Sequence, residues 1–427
     1  MLAVVTLVAV LALPAFVWIY GSDLAAGSPI RSDALGYYLY LPAVLLERDV
    51  TMERTAMRSF DEGREWQMQG VRRVPRWNRY LDKYPVGEAI MLSPFFALGH
   101  LAAVVSGAGR DGFSIPYQVT AAAGGLTFVL LGIAILGLFL RRWFSPRTVV
   151  LTLLGVVFGT NLFHYATFDA VYSHAFSFFL VAAILALAVS IYERPRLLTA
   201  VALGLATGLL TAVRPTDVVI LVFVAFVGVT SASDLSARLR SLPSHVALLA
   251  AGLGAFLLPL VPQIAYWDTI TGSWFVYTYG DERLDLLHPH LLETLFSVRK
   301  GLLFWSPLLV IAIAGLLLLG RTVPGLLIPS LAYLALSTWV IASWETWWYG
   351  GSLGQRPFVE TLPVFALGLA SLIETVRRRI PRTALLFSAG ACSLLALHAM
   401  VAYWHQAIPY DGTSWRIYTH SFERLYF

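Results

Sequence analysis

The sequence predicts an all-α fold, a polytopic transmembrane helical bundle, and three observations carry that expectation. Of 427 residues, 58% are hydrophobic and only 13% charged, with a mean hydropathy of +0.71, far from the balance of a soluble domain. Long apolar runs recur along the whole chain, and backbone groups in hydrocarbon must be satisfied within their own segment, which makes the runs helices. Short loops rich in arginine fall on every second turn between those runs.

At about 20 residues per span, helices are expected near 2–20, 117–140, 148–163, 175–191, 197–213, 216–231, 246–266, 304–320, 324–341, 358–376 and 383–403. The first lacks a charged leader region and a small-residue cleavage site before Asp23, so it reads as a retained span. The stretch 84–105 is apolar but interrupted by Pro85, Glu88, Pro94 and His100. The loops holding Arg141, Arg142 and Arg147, then Arg194 and Arg196, then Arg238 and Arg240, then Arg321, then Arg377, Arg378, Arg379 and Arg382 share one side. The positive-inside rule makes that side cytoplasmic, which leaves 107–116 outside. If 84–105 also crossed, the loop 21–83, with Arg48, Arg54, Arg58, Arg64, Arg72, Arg73, Arg76 and Arg79, would lie inside. Long loops that also carry many acids obey the rule poorly. The expectation is therefore about eleven crossings, an inside N-terminus, and 84–105 as a broken helix at the outer interface. This gives one integral membrane domain, 1–403, with a large outer loop 21–116, and a short non-cytoplasmic tail, 404–427.

The net charge of +5 comes almost wholly from arginine, since Lys83 and Lys300 are the only lysines. These arginines are dispersed in short loops and form no basic face, so nucleic acid is excluded as a partner while membrane lipid is required. The single cysteine, Cys392, reads as a buried thiol in an apolar helix. No period of 20–50 residues repeats, and no pair of interrupted helices marks an inverted repeat.

With this topology the unexpected polar residues collect outside. From Asp33 the residues Tyr37, Tyr40, Leu41 and Val44 fall at helical spacing, an amphipathic interfacial helix. Asp33 at its start reads either as a cap or as a general base above the bilayer. Lys83, in Asp82-Lys83-Tyr84-Pro85, reads as a snorkelling side chain or a phosphate contact. The turn from Asn161 to His174 holds His164, Asp169 and Tyr172, more than a connector needs. Its spacing matches no metal pattern. Arg214, in Arg214-Pro-Thr-Asp217, faces outward against the charge rule and either awaits an anion or pairs with Asp217. Trp344, Trp347 and Trp348 are interface anchors by default. The Gly-rich turn after them runs into Gln355-Arg356 at a helix start, which offers N–H groups and a guanidinium to an anion. Asp281, Glu282, Arg283 and Asp285 precede Lys300, and nothing in their spacing ties them to a site.

At these residues the chain resembles the GT-C superfamily of membrane glycosyltransferases, in particular the bacterial relatives of protein mannosyltransferases and aminoarabinose transferases. The similar features are Asp33 in Asp-x-x-Gly-Tyr-Tyr, Lys83-Tyr-Pro85 entering the broken helix, Asp169 before the fourth span, and the segment Gly354 to Glu360, Gly-Gln-Arg-x-Phe-x-Glu. They follow one another over most of the chain. The resemblance implies a GT-C-like bundle with interfacial helices in the first outer loop, set in the plasma (inner) membrane. It implies transfer of a sugar from a polyprenyl-phosphate donor to a glycan or lipid acceptor on the non-cytoplasmic face. In such an inverting transfer Asp33 takes the acceptor proton and Asp169 orients the acceptor, while Lys83, Arg214 and Arg356 hold the phosphate as charge grows on it. Tyr172, His174, Gln355, Glu360, Trp347 and Trp348 are the implied sugar or acceptor contacts. Ala34 follows Asp33 where protein-directed members carry an Asp-Glu pair, so a protein acceptor is not implied. The further acidic pair of the metal-dependent oligosaccharyltransferases is not found, so no cofactor is assigned and a divalent metal is left open. The competing reading is a transporter or flippase of a lipid-linked sugar, which would place ionisable residues near span midpoints rather than at helix ends.

Overall fold

The computed structural model describes residues 1–21, 24, 27–61, 70–376 and 382–424; Asp23, Arg64, Arg377, Arg378 and Arg379 lie outside them. Helix α1 (Leu2–Gly21) shows how a bilayer-facing helix packs. Val4, Val8, Ala12, Ala15 and Ile19 form a buried stripe, while the equally apolar Leu13 and Val17 are exposed. A helix that is apolar all round and half exposed is one solvated by lipid.

The first loop then folds as α2 (Asp33–Leu41), continued by one wider turn over Pro42–Leu46, and α3 (Glu53–Asp61). An antiparallel hairpin of β1 (Val71–Val74) and β2 (Arg79–Asp82), paired Val71 to Asp82, leads into α4 (Gly87–Ser106). Two expectations are corrected here. Helix α2 has no wet face, because every residue from Ala34 to Leu41 is buried. Its tyrosines enter the interior with their hydroxyls satisfied: Tyr38 donates to Gly112 O at 2.6 Å and Tyr40 to Tyr84 O at 2.7 Å. Nor is α4 broken. Pro94 removes the N–H that would bond Ile90 O, and the Ser93 hydroxyl fills that vacancy at 2.8 Å, so the helix continues.

The rest of the chain forms α5 (Ile115–Leu140), α6 (Pro146–Phe158), α7 (Leu162–Thr167), α8 (Ser173–Glu193), α9 (Leu197–Val213), α10 (Ile220–Phe226) and α11 (Ala232–Ser241). There follow α12 (Val246–Leu257), α13 (Val261–Thr271), α14 (Leu291–Phe296), α15 (Leu302–Trp305), α16 (Leu308–Thr322), α17 (Leu327–Ala342), α18 (Leu362–Val376), α19 (Arg382–Trp404) and α20 (Trp415–His420). The eleven apolar segments expected above fall mainly on helix, but 148–163 is broken between α6 and α7 and 216–231 leaves helix after Phe226. Among the described residues, eight helices are long and apolar enough to cross a membrane, and the chain is a multi-pass membrane protein. Helix α18 is the most enclosed of them and α12 with α13 the least. Cys392, expected to be buried, is only half-buried on α19.

The helix turns sort to two ends. At one end Met1 lies against Gly137, Arg142 pairs with Glu193, and Ser145 donates to Glu374 at 2.9 Å. There too Arg238 stacks on Tyr192 at 3.9 Å and Gly228 N–H bonds Gly325 O at 2.7 Å. These contacts gather the arginine turns on one side, as alternation requires. Helix α4 does not reach that end. Gly87 meets Ala212 and Val213, Gly124 of α5 lies on Leu92 and Phe95, and Gly99 lies on Tyr117 and Thr120. It therefore runs back along the half of α5 that points away from Met1.

Candidate active site

At the end opposite the arginine turns is a cavity of about 740 Å³. Its wall is built from turns rather than helix middles: the start of α2, the residues between β2 and α4, the α7–α8 and α9–α10 turns, the strap 275–284, and the segment 344–356. Asp33, Lys83, Asp169, Arg214 and Arg356, separated by up to hundreds of residues, all line it, as do Tyr172 and Trp348.

Asp33 is the first residue of α2 but does not cap it. Its Oδ2 lies 2.6 Å from Arg356 Nη1, and its Oδ1 accepts the Tyr84 hydroxyl at 2.6 Å. The Tyr84 ring is held in a slot: a Cβ on Gly36 would come within 2.1 Å of it and one on Gly70 within 2.0 Å. Burial raises the Asp33 pKa, but Arg356, the Tyr84 hydroxyl and Lys83 outweigh it and hold the carboxyl below its ordinary range. Lys83 follows the hairpin, which fixes it through Lys83 N–H to Gly70 O at 2.8 Å. Its ammonium pairs with Glu282 at 3.0 Å and sits between the rings of Tyr84 and Tyr279.

Asp169 has both oxygens engaged. Oδ1 is 2.7 Å from Arg31 Nη2, and Oδ2 is 2.9 Å from His164 Nε2. Trp404 Nε1–H donates to His164 Nδ1 at 3.0 Å, so that nitrogen carries no proton and Nε2 is the donor to Asp169. Burial raises the Asp169 pKa, yet Arg31 and His164 prevail and keep it ionised below its usual range. Arg31 lines the cavity and was not singled out from the sequence. Its only sequence signal is a basic residue two positions before Asp33 at the start of a long outer loop.

Arg214 lies 3.0 Å from Glu360 and only 3.7 Å from Asp217, so the local pair expected from the sequence is the weaker one. His174 Nδ1 is 3.1 Å from Glu360, and both residues sit behind the cavity wall rather than on it. Gln355 is also behind the wall, donating to Trp347 O at 2.9 Å, and Trp347 packs edge-on against Trp348 without lining the cavity. His174, Gln355, Glu360 and Trp347, expected as sugar or acceptor contacts, thus do not line this cavity. Their side chains are used to fix Arg214 and the turn before Arg356.

The charged residues on the wall are Arg31, Lys83, Arg214 and Arg356 against Asp33, Asp169 and Glu282. Each of those carboxylates is held by a cation, and Arg356 Nε is buried with no hydrogen bond among the described residues. Such a surface accepts anions. Among the described residues no three His, Cys, Asp or Glu side chains gather as a ligand set for a metal. A dication at any wall carboxylate would also have to displace a guanidinium or ammonium.

No family model matches the sequence, and no curated protein matches it. The fold is similar to solved structures. ArnT from Cupriavidus metallidurans bound to undecaprenyl phosphate matches with a TM-score of 0.51 and 15% identity over 93% of this chain and 63% of that one. The archaeal oligosaccharyltransferase AglB from Archaeoglobus fulgidus, in complex with an inhibitory peptide and a dolichol-phosphate, gives a TM-score of 0.50 and 14% identity over 97% of this chain and 56% of that one. The Archaeoglobus fulgidus oligosaccharyltransferase in complex with Zn and sulfate gives 0.51 and 16% over 95% and 53%. The chain spans less than two thirds of the length of each. At these identities the likeness is one of fold: the helical bundle of this chain is similar to those of ArnT and the archaeal oligosaccharyltransferase.

Proposed function

We propose that this chain transfers a sugar from a polyprenyl-phosphate-linked donor to an acceptor hydroxyl, with inversion, on the non-cytoplasmic face of the plasma (inner) membrane. The observation that carries the reading is the meeting of Lys83, Arg214 and Arg356 with Asp33 around one cavity, at the end opposite the arginine turns. The donor class is supported by the undecaprenyl phosphate and dolichol-phosphate bound to ArnT and AglB.

The phosphate-holding cations are paired with the protein's own carboxylates: Arg356 with Asp33, Lys83 with Glu282 and Arg214 with Glu360. A donor phosphate competes for Arg356 and Lys83, and as Arg356 turns to it, Asp33 Oδ2 is released. The carboxylate that had been held acidic by that guanidinium then regains basicity at the moment a base is needed. Asp33 accepts the acceptor's hydroxyl proton, and the acceptor oxygen bonds to the anomeric carbon. The bond from that carbon to the phosphate oxygen breaks, and its electron pair leaves on the phosphate, where Lys83, Arg214 and Arg356 stabilise it. Attack from the face opposite the leaving group inverts the centre. Both Asp169 oxygens are engaged, so its part is to hold Arg31 at the cavity rather than to meet the acceptor.

The test is transfer in proteoliposomes supplied with polyprenyl-phosphate sugars and glycan or lipid acceptors. Asp33→Asn is expected to lower kcat by about 10²-fold or more, the usual worth of a general base. Undiminished turnover removes Asp33 from that role, and donor translocation without a glycoside product replaces the transferase reading with a flippase.

A further inference from the structure

Helix α10 continues the 3-10 turn Pro215–Val219 and ends at Phe226, about 20 Å of helix, where a crossing helix needs roughly 30 Å. Beyond it the chain turns at Gly228 (φ +77°) and α11 closes over the end. Beside it α12 packs on α9, with Gly204 against Gly252 and Gly208 against Phe256, and leaves Leu249 and Leu253 at least half exposed. The space between α10 and α12 is a second cavity of about 580 Å³, at the end of the molecule opposite the first. Its walls are apolar, from Leu203 and Leu221 to Phe256, and its mouth carries Arg238, Ser241 and His245. Pro195, also at the mouth, is flanked by the exposed Arg194 and Arg196, and Arg240 follows on α11. Arg238 bonds the carbonyls of Ala225 and Val227, which end α10, and so keeps a guanidinium fixed at the entrance.

We infer that this groove binds one anionic phospholipid of the adjacent leaflet, an acyl chain between α10 and α12 and its phosphate among Arg194, Arg196 and Arg238. The shape is that of a chain running from the surface towards the bilayer centre, since α12 spans about 18 Å from the mouth to Leu257. The mouth is basic, which selects an anionic headgroup over a zwitterionic one. The donor carrier is a poorer occupant, because its phosphate is needed at the opposite end. Only the preference for a phospholipid over the donor carrier rests on the proposed transfer; the groove and its basic mouth do not.

The test is native mass spectrometry of the full-length protein with equimolar phosphatidylglycerol and phosphatidylcholine of matched chains. One phosphatidylglycerol should be retained, with a preference of about tenfold or more. The surface variant Arg194→Gln/Arg196→Gln should lose most of that preference with an unchanged Tm. Leu203→Trp, which fills the groove, should lose retention of both lipids. Equal retention of the two lipids, no retention, or a preference unaltered by the arginine variant overturns the inference, as does displacement of the lipid by polyprenyl phosphate. If Leu203→Trp fails to fold, the arginine variant alone decides.

Discussion

Asp33 is held by two partners of different strength, and they separate by mutation. Arg356 supplies charge and Tyr84 supplies a hydrogen bond from a ring that cannot move. Tyr84→Phe keeps the ring in its slot and removes only the donor, so the carboxylate loses stabilisation and its pKa rises. A base works deprotonated; the acid limb of kcat/KM should therefore move to higher pH, with little change on the alkaline side. An unmoved limb would show that Tyr84 does not tune Asp33. Arg356→Ala should weaken donor binding by about 2–5 kcal/mol, and Lys83→Ala by less because its side chain is more exposed, both read by titration with polyprenyl phosphate. Lys300 offers a separate check on burial. It is 1% exposed, its ammonium donates to the carbonyls of Ser352 and Tyr410, and burial brings its pKa down to about 7. Between that value and the ordinary lysine value the unfolded chain binds the extra proton. Stability should thus rise with pH above neutrality by up to about 1.4 kcal/mol per unit, and Lys300→Met should flatten the rise in a denaturation series. At this scale the sequence was readable where a residue was odd for its surroundings, as with Lys83 in an arginine-using chain. It was unreadable where the role depends on a distant partner: Arg31 needs Asp169, and Glu360 needs Arg214.

The elements owe their positions to close backbone approach as much as to apolar faces. A Cβ on Gly315 of α16 would stand 1.9 Å from Gly368 O on α18, and one on Gly368 would stand 2.2 Å from Ala312 O. This is small-residue packing, which lets two helices touch where lipid removes the hydrophobic drive between them. Gly315→Val has no flexible neighbour to displace, and it should lower the Tm in detergent by an amount consistent with overpacking, about 1–3 kcal/mol or more. Gly36→Ala acts on the site instead. The Tyr84 ring must leave its slot, so donor binding should fall with a smaller loss of Tm. A wild-type donor affinity would mean that the slot does not position the ring. Hydropathy found the long helices because each is a local property of about 20 residues. It missed the β1–β2 hairpin, since Val71-Arg-Arg-Val74 and Arg79-Tyr-Leu-Asp82 are short, charged and stabilised by what they pack on. It misjudged α2 for a related reason: aromatic and polar residues at helical spacing look interfacial until their hydroxyl partners, Gly112 and Tyr84, are known.

For the molecule as a whole, the decisive quantity is which end faces which side of the membrane. The alternation of arginine turns was legible because charge bias is a property of loops, and the contacts among Met1, Arg142, Ser145, Tyr192 and Gly228 collect those turns at one end. The course of α4 was harder to read, because a 20-residue apolar helix satisfies the length for crossing whether or not it crosses. Its neighbours bear on the question: Gly99 lies on Tyr117 and Thr120, in the half of α5 that points away from Met1, and Gly87 meets Ala212 and Val213 at the end of α9. Single cysteines in a Cys392→Ser background test this directly. Leu287, 84% exposed beside the strap, and Arg73, exposed on β1 of the first loop, should both be labelled by an impermeant maleimide added from outside intact cells. Ser233, exposed on α11, should react only after permeabilisation. If Arg73→Cys follows Ser233→Cys instead, α4 crosses, the first loop sits with the arginine turns, and Asp33 and Lys83 cannot share a non-cytoplasmic cavity with Arg356.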